Sequence, residues 1–276
     1  MVCKVCGANS TPCMEAQLLG KYSVVYYQCN ACQFIQTEEP YWLDEAYSSA
    51  IASLDIGLIQ RNEVSAGIVQ SVIAKWFDVK GRFVDYGGGY GMLVRMMRDR
   101  GFNFERYDMH CENLFAQTFE ASHPVDGQLP YTLLTAFEVF EHLVEPKNDF
   151  ALMLSYSRNI LFSTELQPLN WVPKLDTWWY VLPETGQHIS FYTAKSLHVI
   201  AEQQNLHYVH GQNNMHLLSE QPVNGKWFNG LTNWRGSQLY NQVTRNRQPS
   251  LLNSDFARLR NRKEDSNSFI KSNDAR

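Results

Sequence analysis

Three side chains able to hold a proton or a metal ion fall within the seven residues FEVFEHL: Glu138, Glu141 and His142. They follow the apolar run YTLLTAF, whose composition predicts a buried strand, so the chain leaves that strand and at once presents two carboxylates and an imidazole. An imidazole titrates near neutral pH and can take a proton from a weak nucleophile such as a hydroxyl. The same three residues, at i, i+3 and i+4, would share one face of a helical turn and could instead hold a divalent cation that lowers the pKa of a bound hydroxyl. A third reading gives Glu141 a cap or ion pair and His142 a satisfied packing role.

A second cluster lies at the N-terminus, in Cys3-Lys-Val-Cys6 and Cys29-Asn-Ala-Cys32. In a reducing compartment the spacing CxxC…CxxC reads as one tetrahedral thiolate zinc site rather than as disulfides, and closed four-sulfur sites are usually structural. The segment between the pairs, LLGKYSVVYYQC, alternates as a strand of a zinc ribbon does. Cys13 and Cys111 have no such spacing and read as buried or incidental thiols.

The elements that must position these groups follow from length and pattern. A chain of 276 residues has room for one main domain with small attachments, since domains usually hold about 100 to 200 residues. A formal charge of -4 argues neither for a strongly nucleic-acid-seeking surface nor for a disordered acidic chain. No stretch approaches the roughly 18 apolar residues of a membrane span and MVCKVCGANS has no apolar signal core, which predicts a soluble cytoplasmic protein without membrane contact. Residues 1–40 are expected to form the zinc-binding module and 41–80 a helical connector, with apolar positions at helical spacing from Leu58 to Phe77. GRFVDYGGGYGMLVRMMRDRGF then reads as strand, glycine turn and helix, with Leu93, Val94, Met96 and Met97 on the buried side. Further strands are expected in FERYDMH, YTLLTAFE, NILFSTEL, LHYVHGQ and NMHLLS, and helices in NDFALMLSYS and TAKSLHVIAEQQNL. That alternation predicts an α/β fold with a doubly wound, mostly parallel sheet over residues 81–247. Residues 167–192, dense in Trp and Pro, are expected to cap the strand ends, with Trp178, Trp179 and Tyr180 either stacking on a ligand or packing a lid. Residues 248–276 are polar and mixed in charge, which predicts a frayed or disordered tail.

The turn VDYGGGYG places Gly87, Gly89 and Gly91 as GxGxG, with Met92 where the dinucleotide fingerprint GxGxxG has its last glycine. It resembles motif I of the class I S-adenosylmethionine-dependent methyltransferases. The resemblance implies a seven-stranded Rossmann-like sheet, Asp85 beside the amino group of the cofactor, and Gly87 and Gly89 leaving it space. It implies Asp108, about 20 residues on, at the ribose hydroxyls, with Tyr86, Gly91, Met109 and Phe137 also lining the cofactor site. FEVFEHL stands where the fourth motif of that family belongs, and WWYVLPETGQHISFYTAKSL is similar to its downstream segment. Members with an N-terminal CxxC…CxxC module resemble sugar methyltransferases of carbohydrate and antibiotic pathways.

The resemblance therefore implies S-adenosyl-L-methionine as cofactor, a structural Zn2+, and methyl transfer to a hydroxyl of a sugar, nucleotide-linked sugar or glycan precursor. ExxEH is also similar to the metal motif of ubiquinone-pathway and small-RNA O-methyltransferases, which makes His188 in GQHIS the candidate fourth ligand beside Glu138, Glu141 and His142, for Mg2+, Mn2+ or iron. His142 is the first candidate for a general base, His188 the second, and Glu141 the third member of the catalytic set. Two rivals remain open. One is carbon methylation of a keto-sugar. The other is a zinc-ribbon nucleic-acid-binding or scaffold protein using the basic tail (Arg258, Arg260, Arg262, Lys263), a reading that Asp255, Glu264 and Asp265 dilute.

Overall fold

The computed structural model describes residues 1–47, 56–124, 128–175, 177–244 and 248–261. The chain begins with an antiparallel meander of β1 (Ser10–Leu18), β2 (Tyr22–Cys29) and β3 (Ile35–Thr37). Alternation along STPCMEAQL and YSVVYYQC buries one face, where Met14, Ala16, Leu18, Val24 and Tyr26 pack together. Helix α1 (Leu43–Ala46) and the long α2 (Leu58–Trp76) follow; the part of the expected connector between them at residues 48–55 lies outside the described residues.

The second sheet is built from β4 (Arg82–Tyr86), α3 (Met92–Asp99), β5 (Asn103–Tyr107), β6 (Leu133–Ala136), α4 (Pro146–Tyr156) and β7 (Ile160–Ser163). After the cap come β8 (Ser190–Phe191), α5 (Ala194–Gln203), β9 (His207–His210), β10 (Met215–Ser219), α6 (Gly225–Thr232) and α7 (Trp234–Val243). The strand order is β5-β4-β6-β7-β10-β9, parallel from β5 to β7 and antiparallel at β10 and β9. LLTA and ILFS are buried at every position because helices cover both faces. On one side Ile68, Val72 and Met97 meet Phe83 and Phe104; on the other Phe150, Tyr156 and Ile200 meet Val84 and Leu134.

Six strands are hydrogen-bonded in this sheet among the described residues, where seven were expected. At the outer edge of β5, where a further parallel strand would lie, the chain makes a single parallel bridge between Arg106 and Glu120. Two other expectations change. Met96 is only half-buried, while Arg98 is buried on the inner side of α3. The reason lies in the expected tail: residues 252–261 are helical, and Asp255 takes two hydrogen bonds from Arg98 at 2.8 and 2.7 Å, while Leu251 N–H donates to the Arg98 carbonyl. Arg258 lies over the ring of Phe119. A polar segment is held here by a buried ion pair rather than by apolar periodicity. Arg262, Lys263, Glu264 and Asp265 lie outside the described residues.

The cap and the N-terminal module form one layer. β8, in the cap, pairs antiparallel with β3 and completes a four-stranded sheet β1-β2-β3-β8. Trp178 and Tyr180 pack with Phe191 against that sheet and are buried, which is the lid-packing alternative, and of the three aromatics only Trp179 is exposed.

Candidate active site

The strand order reverses direction between β4 and β6, each the start of a branch running to one side, and this opens a crevice at their carboxyl ends. The two ends are close: a Cβ on Gly87 would stand 2.6 Å from the Val139 side chain. Gly87 and Gly89 have φ of +67° and +52°, a backbone that side chains rarely adopt, and a Cβ on Gly89 would meet nothing within 4 Å. The loop thus presents bare backbone to open space. Gly91 serves packing instead, since a Cβ there would strike Ala116 and Asn113.

Asp85 is buried under this loop and accepts the Thr135 hydroxyl at 2.6 Å. Burial, and secondarily the charge of Asp108, raise its carboxyl to about 7 against the pull of Thr135 and Arg106. Asp108 binds the loop directly: Oδ2 accepts from Gly89 N–H, and Oδ1 from His110 and Cys111 N–H, each at 2.8 Å. A carboxylate has about four lone-pair sites, so one remains on Oδ2 for a further donor. Arg106 fixes the same region from below by donating to the carbonyls of Gly89 and Cys111. Of the other expected cofactor residues, Tyr86 stacks on Tyr107 at 5.0 Å within the core, Phe137 is half-buried and Met109 is exposed beside the Asp108 turn.

On the β6 side the four expected ligands do not converge together. Glu138 has φ of +53°, and this left-handed residue breaks the helical register that the i, i+3, i+4 spacing assumed. Its backbone N–H donates to Ser163 Oγ at 2.9 Å, and the Ser163 hydroxyl donates back to its carboxylate at 2.7 Å. Desolvation and the nearby Glu141 carboxylate raise the Glu138 pKa. The turn Phe140–His142 then aims Glu141 and His142 at His188, and the ligand atoms of these three lie within 4.8 Å of one another.

Glu141 is fully buried, and neither carboxylate oxygen has a well-aligned hydrogen-bond partner among the described residues, the Tyr180 hydroxyl being the nearest donor that acts on it. A poorly partnered buried carboxylate is costly, and such a group calls for a ligand. Both histidines have Nδ1 against a backbone carbonyl, His142 on Gln187 at 3.0 Å and His188 on Tyr180 at 2.6 Å. Nδ1 therefore carries a proton, and in the neutral ring Nε2 is the nitrogen with the lone pair. Burial and the neighbouring His142 push His188 down to about 3, so its ring stays neutral. One carboxylate and two Nε2 atoms make a donor set that fits a first-row divalent cation.

The four cysteines of the N-terminal pairs also converge. Sγ of Cys3 lies 3.7 Å from that of Cys32, and Sγ of Cys6 lies 3.4 Å from that of Cys29. Four sulfurs about 2.3 Å from a tetrahedral zinc would be about 3.8 Å apart, so the cage has nearly the required size. N–H groups of Val5 and Cys6 point at Cys3 Sγ, and those of Ala31 and Cys32 at Cys29 Sγ. The Cys32 thiol and these N–H groups hold Cys3 well below the ordinary thiol range. Cys13 stands apart, its Sγ on the Tyr26 carbonyl and its thiol pushed by burial up to about 11.

Three residues of the site carried no signal in the spacing. Ser163 holds Glu138, Gln187 holds both His142 and the Ala46 carbonyl (Nε2 at 2.8 Å), and Tyr47 faces His142 with ring centroids 6.2 Å apart. Each comes from a strand end or loop distant in sequence.

The sequence pattern of the methyltransferase domain matches residues 60–211, more than half of the chain, and the chain belongs to that family. No curated protein matches the chain significantly. Among solved structures it is similar to TnmH, at 16% identity over 64% of this chain and 60% of that one, with a TM-score of 0.43. It is similar to an O-methyltransferase family protein from Burkholderia thailandensis at 11% identity, over 64% of this chain and 66% of that one (TM-score 0.40). Human N-acetylserotonin methyltransferase, solved in complex with SAM, is 14% identical over 67% of each chain (TM-score 0.37). The chain thus spans 60% and 66% of the lengths of the first two. Among the described residues no helix is long and apolar enough to cross a membrane.

Proposed function

We propose that the protein transfers a methyl group from S-adenosylmethionine to a hydroxyl of a small acceptor, of the class of sugars, nucleotide-linked sugars or glycan precursors. Family membership and the bare glycine loop between Asp85 and Asp108 support the cofactor. When bound, it supplies a methyl group on a cationic sulfur. The observation that carries the acceptor side is Glu141, buried without a well-aligned partner beside two available Nε2 atoms. Glu141, His142 and His188 would hold a divalent cation such as Mg2+, Mn2+ or iron, which would acidify and orient an acceptor hydroxyl. Glu138, outside that triad and with its pKa raised by desolvation and Glu141, would take the hydroxyl proton.

A second reading is favoured by the His142 hydrogen bond to Gln187. It leaves Nε2 as a lone base, with no metal needed. Turnover after exhaustive chelation separates the two: loss of activity restored by added Mg2+ or Mn2+ supports the metal, and unaltered activity supports His142 alone. Carbon methylation of a keto-sugar is distinguished by the product, since an ether and a new carbon–carbon bond differ in their carbon chemical shifts.

For the N-terminal cage we propose a structural zinc held by Cys3, Cys6, Cys29 and Cys32. It would brace the acceptor side, because β3 pairs with β8 directly after His188 and Thr37 N–H donates to the Ile189 carbonyl at 3.1 Å. One zinc per chain by elemental analysis, lost in Cys32→Ser, is the expected result.

A further inference from the structure

From the placement of one aromatic ring we infer that Tyr47 is a cofactor-binding residue whose face receives the positive sulfur of S-adenosylmethionine, so that the site favours the cationic donor over its neutral thioether product. The inference rests on the cofactor reading above. Tyr47 lies between the two halves of the crevice. Its ring is nearly parallel to that of His110, on the turn held by Asp108, with centroids 6.1 Å apart and an interplanar angle of 15°. It stands at 65° to His142, at 6.2 Å, on the acceptor side. A methyl donor must pass its group from the first side to the second, and Tyr47 spans that line.

The ring is held in place by the segment before it. Trp42 is buried and its indole N–H donates to the Gly186 carbonyl at 2.7 Å, and Gln187 Nε2 donates to the Ala46 carbonyl at 2.8 Å. Gln187 is also the residue whose carbonyl fixes His142. One residue therefore sets the ring and the imidazole relative to each other. The surroundings favour a cation, since the buried Glu141 carboxylate is close enough to act on the Tyr47 hydroxyl. The Tyr47 hydroxyl is pushed up, by burial and by Glu141, so it is neutral and its ring keeps the ordinary quadrupole. A cation over such a face is attracted by the ring quadrupole. The neutral thioether gains nothing comparable. Product would then leave more readily than donor binds.

Calorimetric titration of the full chain with S-adenosylmethionine and with S-adenosylhomocysteine, at a pH above the ordinary imidazole range, tests this. Tyr47→Leu is expected to weaken the donor roughly 3- to 10-fold while leaving the thioether unchanged, and Tyr47→Phe to match the wild type for both. Equal weakening of both ligands in Tyr47→Leu, or no change in either, would overturn the inference and leave the cofactor reading standing. Failure of the wild-type chain to bind the thioether at all would overturn both.

Discussion

His142 and His188 stand edge to face, ring centroids 5.0 Å apart at 78°, each with Nδ1 against a backbone carbonyl from the same cap segment. Forty-six positions separate them in sequence, yet Gln187 and Tyr180 set both tautomers in the same sense. One ring nitrogen of each thereby lies within 4.8 Å of the same buried carboxylate.

That geometry makes a stability prediction. Mn2+ at about 100 times its Kd should stabilise the wild-type chain by about 2.7 kcal/mol through binding to the folded state alone. Glu141→Leu should remove the shift in melting temperature and, in the presence of chelator, melt above the wild type, because a buried carboxylate without a well-aligned partner has been replaced by an apolar side chain of similar size. Differential scanning fluorimetry with and without metal reads both outcomes.

Asp85 gives a pH dependence with a definite sign. Its folded-state value, near 7, lies above that of an unfolded Asp, near 3.8. The protonated carboxyl is the form suited to its site, so its contribution is complete below the unfolded value and is lost as pH rises through about 7. Asp85→Asn should therefore gain melting temperature relative to wild type between pH 5 and 8, while its affinity for S-adenosylhomocysteine falls. A difference constant with pH would contradict the assignment.

The cysteine cage and the histidine pair should be coupled. Because β8 is hydrogen-bonded to β3 and Thr193 Oγ1 donates to the Cys32 carbonyl at 2.9 Å, Cys32→Ser should loosen the strand that follows His188. We expect divalent-metal affinity at the Glu141 site to fall roughly 10- to 100-fold, the usual range for loss of a supporting contact, with S-adenosylhomocysteine affinity much less affected. Isothermal titration with Mn2+ and with the thioether compares the two.

At the far end of the molecule, Asp255→Ala leaves the Arg98 guanidinium buried without its carboxylate. Side-chain exposures of 6% and 4% for this pair place it in the range where breaking an ion pair costs about 3 to 5 kcal/mol. Urea denaturation measures the loss; a change below about 1 kcal/mol would mean that the helix at 252–261 contributes little to stability.

The parallel strands and the crevice could be read from sequence because LLTA, ILFS and the glycine turn are local patterns: a run buried on both faces, and a turn that only glycine tolerates. The cysteine cage was equally local in its spacing. What spacing could not give was the path of the chain at single residues. Glu138 leaves the expected face because one left-handed φ redirects it toward Ser163, and composition does not encode that torsion. Trp178 and Tyr180 are core residues because the cap completes the sheet of the N-terminal module, a pairing between segments about 150 residues apart. Asp255 illustrates the same limit: a polar tail looks unfoldable until its long-range partner is known.

The central claim is that the crevice between β4 and β6 binds the methyl donor through the glycine loop and Asp108. Calorimetric titration of the purified chain with S-adenosylhomocysteine tests it most directly. Saturable binding at one site per chain, weakened at least about 10-fold in Asp108→Ala by loss of a charged hydrogen-bond acceptor, is the expected result. Absence of binding to the wild-type chain, or binding that Asp108→Ala leaves unchanged, would contradict it.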